Sequence, residues 1–389
     1  MFSSRLRHVA GRNRLAIALD RRRAAGLPIV DLTLSNPTRA GLAYPTGLLA
    51  PMAHEGSLTY EPEPFGLLSA RQAVSDDLAR RGLQVPANRV VLTASTSEAY
   101  SLLFKLLCDP GDAVMAPRPS YPLVEHLTDL DGVSLDHYRL EFHGRWEIDL
   151  QDLREKAVSG RMRAIVMVNP NNPTGSVVTD RELDEVAAIA RERDLALISD
   201  EVFADYPIAG TQPASALRQQ TALTFVLGGL SKSVGLPQVK LGWMAVGGPA
   251  PLIADALDRL ETICDAYLSV STPVQAAAPD LLYAGAAVRA QIQERVRGNC
   301  ARLTALSAAN PACSVMPVEA GWYAVVQVPA LAPEETIVLG LLEQAGVLVH
   351  PGYFFDFERE AFLVISLLPE PEAFASAAEA LFGQIGARQ

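Results

Sequence analysis

Seven short apolar runs, separated by stretches of helical period, set the strongest constraint on how this chain can fold. They are Arg89–Thr93, Ala113–Ala116, Val133–Tyr138, Arg163–Val168, Leu195–Ser199, Leu223–Leu227 and Leu241–Val246. Several, such as AIVMV within Arg163–Val168, are apolar at consecutive rather than alternate positions. A strand of that kind has both faces buried, which is the habit of a mainly parallel sheet covered on each side. The intervening segments supply the cover. In Arg181–Arg193 the residues Leu183, Val186, Ala187 and Ala190 follow i, i+3, i+4, i+7, and Thr179 with Glu182 has the spacing of a capping box. Strand alternating with helix over residues 50–250 predicts an α/β domain with helices on both faces.

The chain has 389 residues, enough for about two or three domains. A long helical stretch is expected from about Ala250 to Leu282, interrupted near Ser269–Pro273. Beyond it the strand-like segments Ser314–Met316, Trp322–Val328 and Phe362–Leu367 alternate with helices in a smaller α+β unit. The first 30 residues predict a helix too short to fold alone. The expected division is therefore 1–48, a segment packing with the small domain; 49–283, the large domain; and 284–389, the small domain. An apolar fraction of 49% with 20% charged residues excludes a disordered or fibrous chain. The net charge of −11 repels phosphate backbones, so no nucleic-acid partner is expected, and Arg21–Arg23 beside Asp20 reads as a solvated helix face. Cys108, Cys264, Cys300 and Cys313 form no CxxC pair and read as reduced thiols. No apolar run approaches the roughly 18 residues of a membrane span, and Met1–Arg14 has no apolar leader core, so a cytoplasmic location is expected.

Chemistry-bearing residues gather where strands end. Asn169-Pro170-Asn171-Asn172-Pro173-Thr174-Gly175 follows the run ending at Val168 and makes a rigid turn, since proline fixes φ and glycine admits φ > 0. Asp200 follows the next run, and Lys232 lies in Gly228-Gly229-Leu230-Ser231-Lys232 after another, with Lys240 eight residues on. In open α/β sheets, ligands sit beyond the carboxyl ends of the strands. Ser95-Thr96-Ser97 opens an apolar helix and can offer backbone N–H groups to an anion. Each piece alone also reads as a plain loop, a cap or a solvated lysine. GGLSKS is not a P-loop, since Ser231 stands where glycine must precede the lysine, and no G-x-G-x-x-G follows the first strand.

In their order, NPNNPTG, then Ser199-Asp200-Glu201-Val202-Phe203, then Ser231-Lys232 and a cation eight residues on, these motifs resemble the class I/II aminotransferases of the fold-type-I pyridoxal-phosphate enzymes. The resemblance implies an α/β fold: a large domain with a mainly parallel seven-stranded sheet plus a smaller α+β domain. It implies pyridoxal 5'-phosphate as cofactor, attached to Lys232 as a Schiff base, and transfer of an amino group from an amino donor to a 2-oxo acid by a ping-pong route. Asp200 would pair with the pyridine nitrogen, Asn172 would donate to the ring's 3-oxygen and Tyr121 would stack on the ring. Ser95, Thr96, Ser97, Ser231 and Lys240 would hold the phosphate. Tyr60 would reach the partner subunit's phosphate, which implies a homodimer with shared sites. The alternatives are a β-lyase or decarboxylase reaction on the same scaffold, or transamination of a substrate lacking the usual α-carboxylate contact. A cofactor-sensing regulator is disfavoured, since no room precedes the first motif residues near Ser35 for a DNA-binding module.

Several positions depart from that pattern. Lys240 replaces the usual arginine, a point charge for a bidentate fork. Gly229 stands where a phosphate-binding serine is common, and Ser35 replaces a frequent glycine near the substrate. Val364 stands where an arginine normally binds the substrate α-carboxylate; Arg39, then Arg359, are the candidates to replace it. Phe203 occupies the cofactor-site position where a tyrosine usually donates to the 3-oxygen, leaving Asn172 unless Tyr206 or a water substitutes. Hydrogen bonds to a charged form favour it. Phe203→Tyr should therefore lower the pH at which the cofactor–lysine imine titrates, and a spectral pH titration with equal midpoints in the two forms would count against that role for position 203.

Overall fold

The computed structural model describes residues 2, 3, 5, 11, 13–210 and 212–386, so the expectation about a leader in Met1–Arg14 lies largely outside the described residues. Helix α1 (Arg14–Ala24), capped by the Asn13 side chain on the Ala16 amide, leads to the short strand β1 (Val30–Asp31). Then come α2 (Leu68–Arg80), β2 (Val90–Thr93), α3 (Thr96–Leu107), β3 (Ala113–Arg118), α4 (Leu123–Asp131), β4 (Ser134–Phe142) and β5 (Trp146–Ile148). The chain continues through α5 (Leu150–Lys156), β6 (Met162–Val168), α6 (Asp180–Arg193), β7 (Ala196–Asp200), β8 (Thr224–Gly229), α7 (Leu230–Ser233) and β9 (Gly242–Gly247). Helices α8 (Ala250–Asp265) and α9 (Thr272–Ala308) precede β10 (Ser314–Val315), β11 (Tyr323–Gln327), α10 (Glu334–Gly340), β12 (Val347–Leu348), β13 (His350–Pro351), β14 (Phe362–Ser366) and α11 (Pro371–Gly386).

The large sheet has the order β2-β9-β8-β7-β6-β3-β4-β5, with the four central pairings from β8 to β4 parallel. All seven runs identified in the sequence lie in it. The expected count of seven is corrected to eight by β5, which folds back antiparallel on β4 with Trp146 opposite Phe142. Three residues are too few for a period-two pattern to register. Aromatic packing holds them instead: the Trp146 ring lies 5.4 Å from Phe142 and 5.8 Å from Phe357.

Side chains alternate across the sheet as the pleat requires. Leu92, Met115, Ile165, Leu197 and Val226 face a core shared with Val74 of α2, Leu183 of α6 and Leu281 of α9. Val91, Val114, Val166, Ile198 and Phe225 face the opposite core, with Leu103 of α3 and Leu260 of α8. A third core joins α1, α10, α11 and the antiparallel sheet β10-β11-β14-β13, with β1 parallel to β12 at its margin. The division expected at 283/284 falls inside α9, which runs unbroken over 37 residues. Its buried residues up to Leu282 belong to the sheet core, and those from Val288 onward to the third core.

Helix α9 also backs the segment that follows α7. A Cβ built on Gly285 would lie 2.6 Å from the Val234 Cβ, whereas one on Gly298, in the same helix, meets nothing within 4 Å. Replacing a helical glycine by alanine gains about 0.5–1 kcal/mol in propensity, while overpacking costs about 1–3 kcal/mol. Gly285→Ala should therefore lower the urea midpoint and Gly298→Ala raise it. A rise in both would show that α9 can shift away from Val234 freely.

Candidate active site

Parallel register brings the strand ends together. Val168 of β6 lies opposite Asp200 of β7, which lies opposite Leu227 of β8. Past the ends, the Asn169 amide donates to the Asp200 carbonyl (2.8 Å) and the Glu201 amide to the Leu227 carbonyl (3.0 Å). Strand β9 enters antiparallel between β8 and β2, with Gly242 opposite both Gly229 and Thr93. The turns carrying Ser95–Ser97, Tyr121, Asn172, Asp200, Ser231–Lys232 and Lys240 thus all open at one sheet edge. Tyr60 is not gathered there: it is 70% exposed, and a small cavity it lines is shared with Glu61 and Leu268–Val270.

Asp200 is buried, its Oδ1 accepting the Val202 amide (3.2 Å) and its Oδ2 the Tyr100 hydroxyl (3.4 Å). Burial raises its pKa from 3.8 to about 6, against the stabilising pull of those donors and of Lys232. Burial also lowers the Lys232 pKa from 10.5 to about 8, with the Asp200 charge opposing the shift. Desolvation disfavours each charged form, and the two charges restore part of it for one another. The Lys232 Nζ stands 5.1 Å from the Trp322 ring centre and 5.7 Å from that of Phe203, and it makes no hydrogen bond among the described residues. Phe203 is buried, edge-on to Trp322 and Tyr323. A tyrosine at 206 does not take over for it, because the Tyr206 hydroxyl donates to the Lys232 and Ser233 carbonyls.

In the turn after β6, Asn169 donates to the Ala214 carbonyl and accepts from the Val178 amide, and Asn171 accepts from Thr174. Those two hold the turn. The Asn172 carboxamide makes no hydrogen bond among the described residues, and its buried oxygen is unpaired. At the start of α3 the Ser95 hydroxyl caps the Glu98 amide (3.2 Å) and the Glu98 carboxylate takes the Ala94 amide (2.6 Å). The hydroxyls of Thr96, Ser97 and Ser231 stay uncommitted among the described residues. A Cβ on Gly242 would lie 2.9 Å from the Ser95 carbonyl carbon and 3.1 Å from the Thr96 nitrogen, so only glycine lets β9 pass this close to the turn. Lys240, exposed, is held at φ 62° just before it. Tyr121 is half exposed, its ring 6.2 Å from that of Phe355.

Sequence reasoning missed the residues that hold the lysine in place. Arg289 of α9 donates to the Ser233 carbonyl (2.9 Å) and pairs with Asp77 (2.9 Å) and Asp205 (3.6 Å). A charge set beside the apolar positions Val288 and Ile292 was the available signal. Tyr100, on an apolar helix face, had none. Val364 is fully buried in β14 between Val325 and His350, while Arg39 and Arg359 are exposed.

The profile of the family described as aminotransferase class I and II matches residues 45–381. This chain belongs to that family, which depends on pyridoxal phosphate. It is 32% identical to nicotianamine aminotransferase 1 of Oryza sativa subsp. japonica over 241 residues, 60% of this chain and about half (48%) of that protein's length. It is 29% identical to an alanine aminotransferase of Mycobacterium tuberculosis over 375 residues, 92% of this chain and 86% of the relative. Its fold matches that of alanine aminotransferase from Pyrococcus furiosus with a TM-score of 0.87 at 24% identity, covering 96% of each chain. The residues fit the cofactor. An uncommitted amine, a buried carboxyl beyond the adjoining strand, an unpaired carboxamide and free amides and hydroxyls at a helix start match an aldehyde, a ring nitrogen, a phenolic oxygen and a phosphate.

In cofactor-free protein, acetylation of Lys232 followed by peptide mass analysis should titrate near pH 8. Asp200→Asn should move that midpoint lower, because it removes the negative charge that favours the ammonium. An unmoved midpoint would show that the two groups do not sense one another.

Proposed function

We propose that the chain is a cytoplasmic, homodimeric pyridoxal-phosphate aminotransferase that moves an amino group from an amino donor to a 2-oxo acid in two half-reactions. The observation that carries this reading is the Lys232 amine, without a hydrogen bond among the described residues and lowered to a pKa of about 8 by burial, set beyond Asp200 at the edge where strands β6 to β8 end. When bound, the cofactor supplies a carbonyl that captures an amine and a ring that takes up negative charge.

The chain's residues do the rest. Lys232 would be the nucleophile that holds the cofactor and, once freed, the base positioned to move the substrate's Cα proton. A pKa near 8 keeps a minority neutral at physiological pH, far more than a solvated lysine with its pKa of 10.5 would have. Asp200, buried and accepting from the Tyr100 hydroxyl, would hold a proton on the pyridine nitrogen. Asn172 would donate to the 3-oxygen, and Tyr121 would pack on the ring. The amides and hydroxyls of Thr96 and Ser97, with Ser231 and Lys240, would bind the phosphate, while Ser95 spends its hydroxyl on the helix cap. Phe203 and Trp322 exclude water around the amine. Tyr206 and Arg289 hold the backbone from which Lys232 projects.

A dimer accounts for the exposed apolar side chains near Tyr60. Leu58 is 90% and Tyr283 87% exposed, and the short helix ending at Leu58 packs on α9, which carries Tyr283. Tyr60 then serves the partner's phosphate site. Four unpaired cysteines suit a reducing compartment, and no described helix is long and apolar enough to cross a membrane.

Borohydride treatment of the holoenzyme should fix the cofactor to the peptide containing Lys232 and to no other. Lys232→Ala should keep its circular dichroism and lose at least about 100-fold in turnover, the low end for a positioned acid–base group. With an amino donor and no acceptor, about one equivalent of oxo acid per site and a pyridoxamine phosphate product are expected. Continuous release of product from the donor alone would instead assign a lyase or decarboxylase.

A further inference from the structure

The wall of the small domain that faces Lys232 carries an imidazole, His350, that the proposed mechanism leaves unused. In β14, Ser366 lies opposite Tyr323 and Val364 lies opposite both Val325 and His350. Directly opposed residues project from the same face of a sheet, and so do residues two apart on one strand. His350, Val364, Ser366 and Tyr323 therefore share a face. That face looks toward the lysine: the Tyr323 ring is 6.1 Å from Phe203, whose ring centre is 5.7 Å from the Lys232 Nζ. A second chain of contacts reaches the same place. His350 packs 5.7 Å from Phe355, and Phe355 packs 6.2 Å from Tyr121 at the end of β3. Through strand pairing and these ring contacts the imidazole is linked to both Tyr323 and Tyr121.

The ring is half-buried and held by packed aromatic side chains. Phe354 and Phe355 flank it, and Asp31 of β1 is the charged group that acts on it. Asp31 is itself fixed by the Thr33 amide (2.8 Å) and hydroxyl. The other nearby acid, Glu334 of α10, is occupied by the Tyr353 and Phe362 amides. Neither imidazole nitrogen has a hydrogen-bond partner among the described residues, and neither is among their sealed unpaired atoms. Arg118, the nearest arginine in sequence to Tyr121, is bound to Asp356. Arg39 and Arg359 project into solvent.

We infer that His350, backed by Asp31, is the group of this chain that receives the substrate's carboxylate. The inference rests on the transaminase reading, since both an amino-acid donor and an oxo-acid acceptor bring a carboxylate beside the reacting carbon. Burial lowers the pKa of the free ring below 6.5, and Asp31 offsets part of that. A bound carboxylate favours the imidazolium and raises the midpoint in the complex. By linkage, affinity is constant below the free midpoint, falls as pH rises between the free and bound midpoints, and levels off above the second. A guanidinium in that place would stay charged throughout, and the slope left by titration of the cofactor–lysine imine would survive in His350→Phe.

The experiment uses holoenzyme with propionate, 3-phenylpropionate and 4-methylvalerate, carboxylates that lack an amine, and the matching amides. Binding is followed by calorimetry from pH 5 to 9 and by the ring signals of the six histidines in labelled protein. At least one acid should bind more than 10-fold tighter than its amide, weaken with rising pH, and raise the midpoint of a single histidine signal that is missing in His350→Phe. His350→Phe should lose at least 10-fold in acid affinity, His350→Gln less because it keeps a donor, and Asp31→Asn should lower the midpoint. Every variant is first reduced with borohydride and mapped. Failure to label Lys232 in wild type overturns the transaminase reading whatever the histidine does. Labelled enzyme whose acid affinity is flat with pH, unchanged in His350→Phe, or lost in Arg39→Ala instead overturns the role of His350.

Discussion

The in-step alignment of β6, β7 and β8 is the constraint from which the active site follows. Parallel strands in register end side by side, and Val168, Asp200 and Leu227 occupy one row. Whatever residues follow that row become neighbours without any contact between their sequences. The pairing also disposes of the backbone groups at the rim, since the Asn169 and Glu201 amides find carbonyls on the adjoining strands. The side chains beyond are left for a ligand rather than for closing the fold.

The electrostatics follow from the same placement. A lysine and an aspartate at the edge of a sheet buried on both faces are shielded from water, and each resists its charge. Neither is silenced, because each also lies in the field of the other. Aromatic rings on one side and carbonyl anchors below keep the amine aimed without a hydrogen bond to its nitrogen. The anchor is itself anchored: Arg289 reaches the Ser233 carbonyl only because Asp77 and Asp205 neutralise it where water is scarce. Breaking such a buried pair from one side leaves an uncompensated charge, which costs about 3–5 kcal/mol.

Helix α9 ties these parts into one object. Its first half packs under the large sheet, its second half under the small one, and Arg289 sits at the crossing. The small domain can thus present Trp322, Tyr323 and His350 to a lysine that belongs to the large one. Strand β1 of the N-terminal segment pairs parallel with β12 at the margin of the same wall.

Much of this was legible in the amino-acid order alone. The seven runs, the capping box at Thr179–Glu182, and the placing of Asn172, Asp200 and Lys232 after strand ends rest on local periodicity and turn chemistry, which neighbouring residues determine. The order of three motifs was enough to name the family. Tertiary structure decided what local pattern cannot carry. It placed β5, too short to show a period, and ran α9 through the expected boundary, since a helix continues wherever either core covers it. It spent Tyr206 on backbone carbonyls, set Tyr100 on Asp200, and left Arg39 and Arg359 in solvent. It brought His350 beside Val364, 14 positions apart in sequence, through a strand pairing. Which polar groups stay free for a ligand depends on which partners the fold has already supplied, and that count exists only once distant segments are in contact.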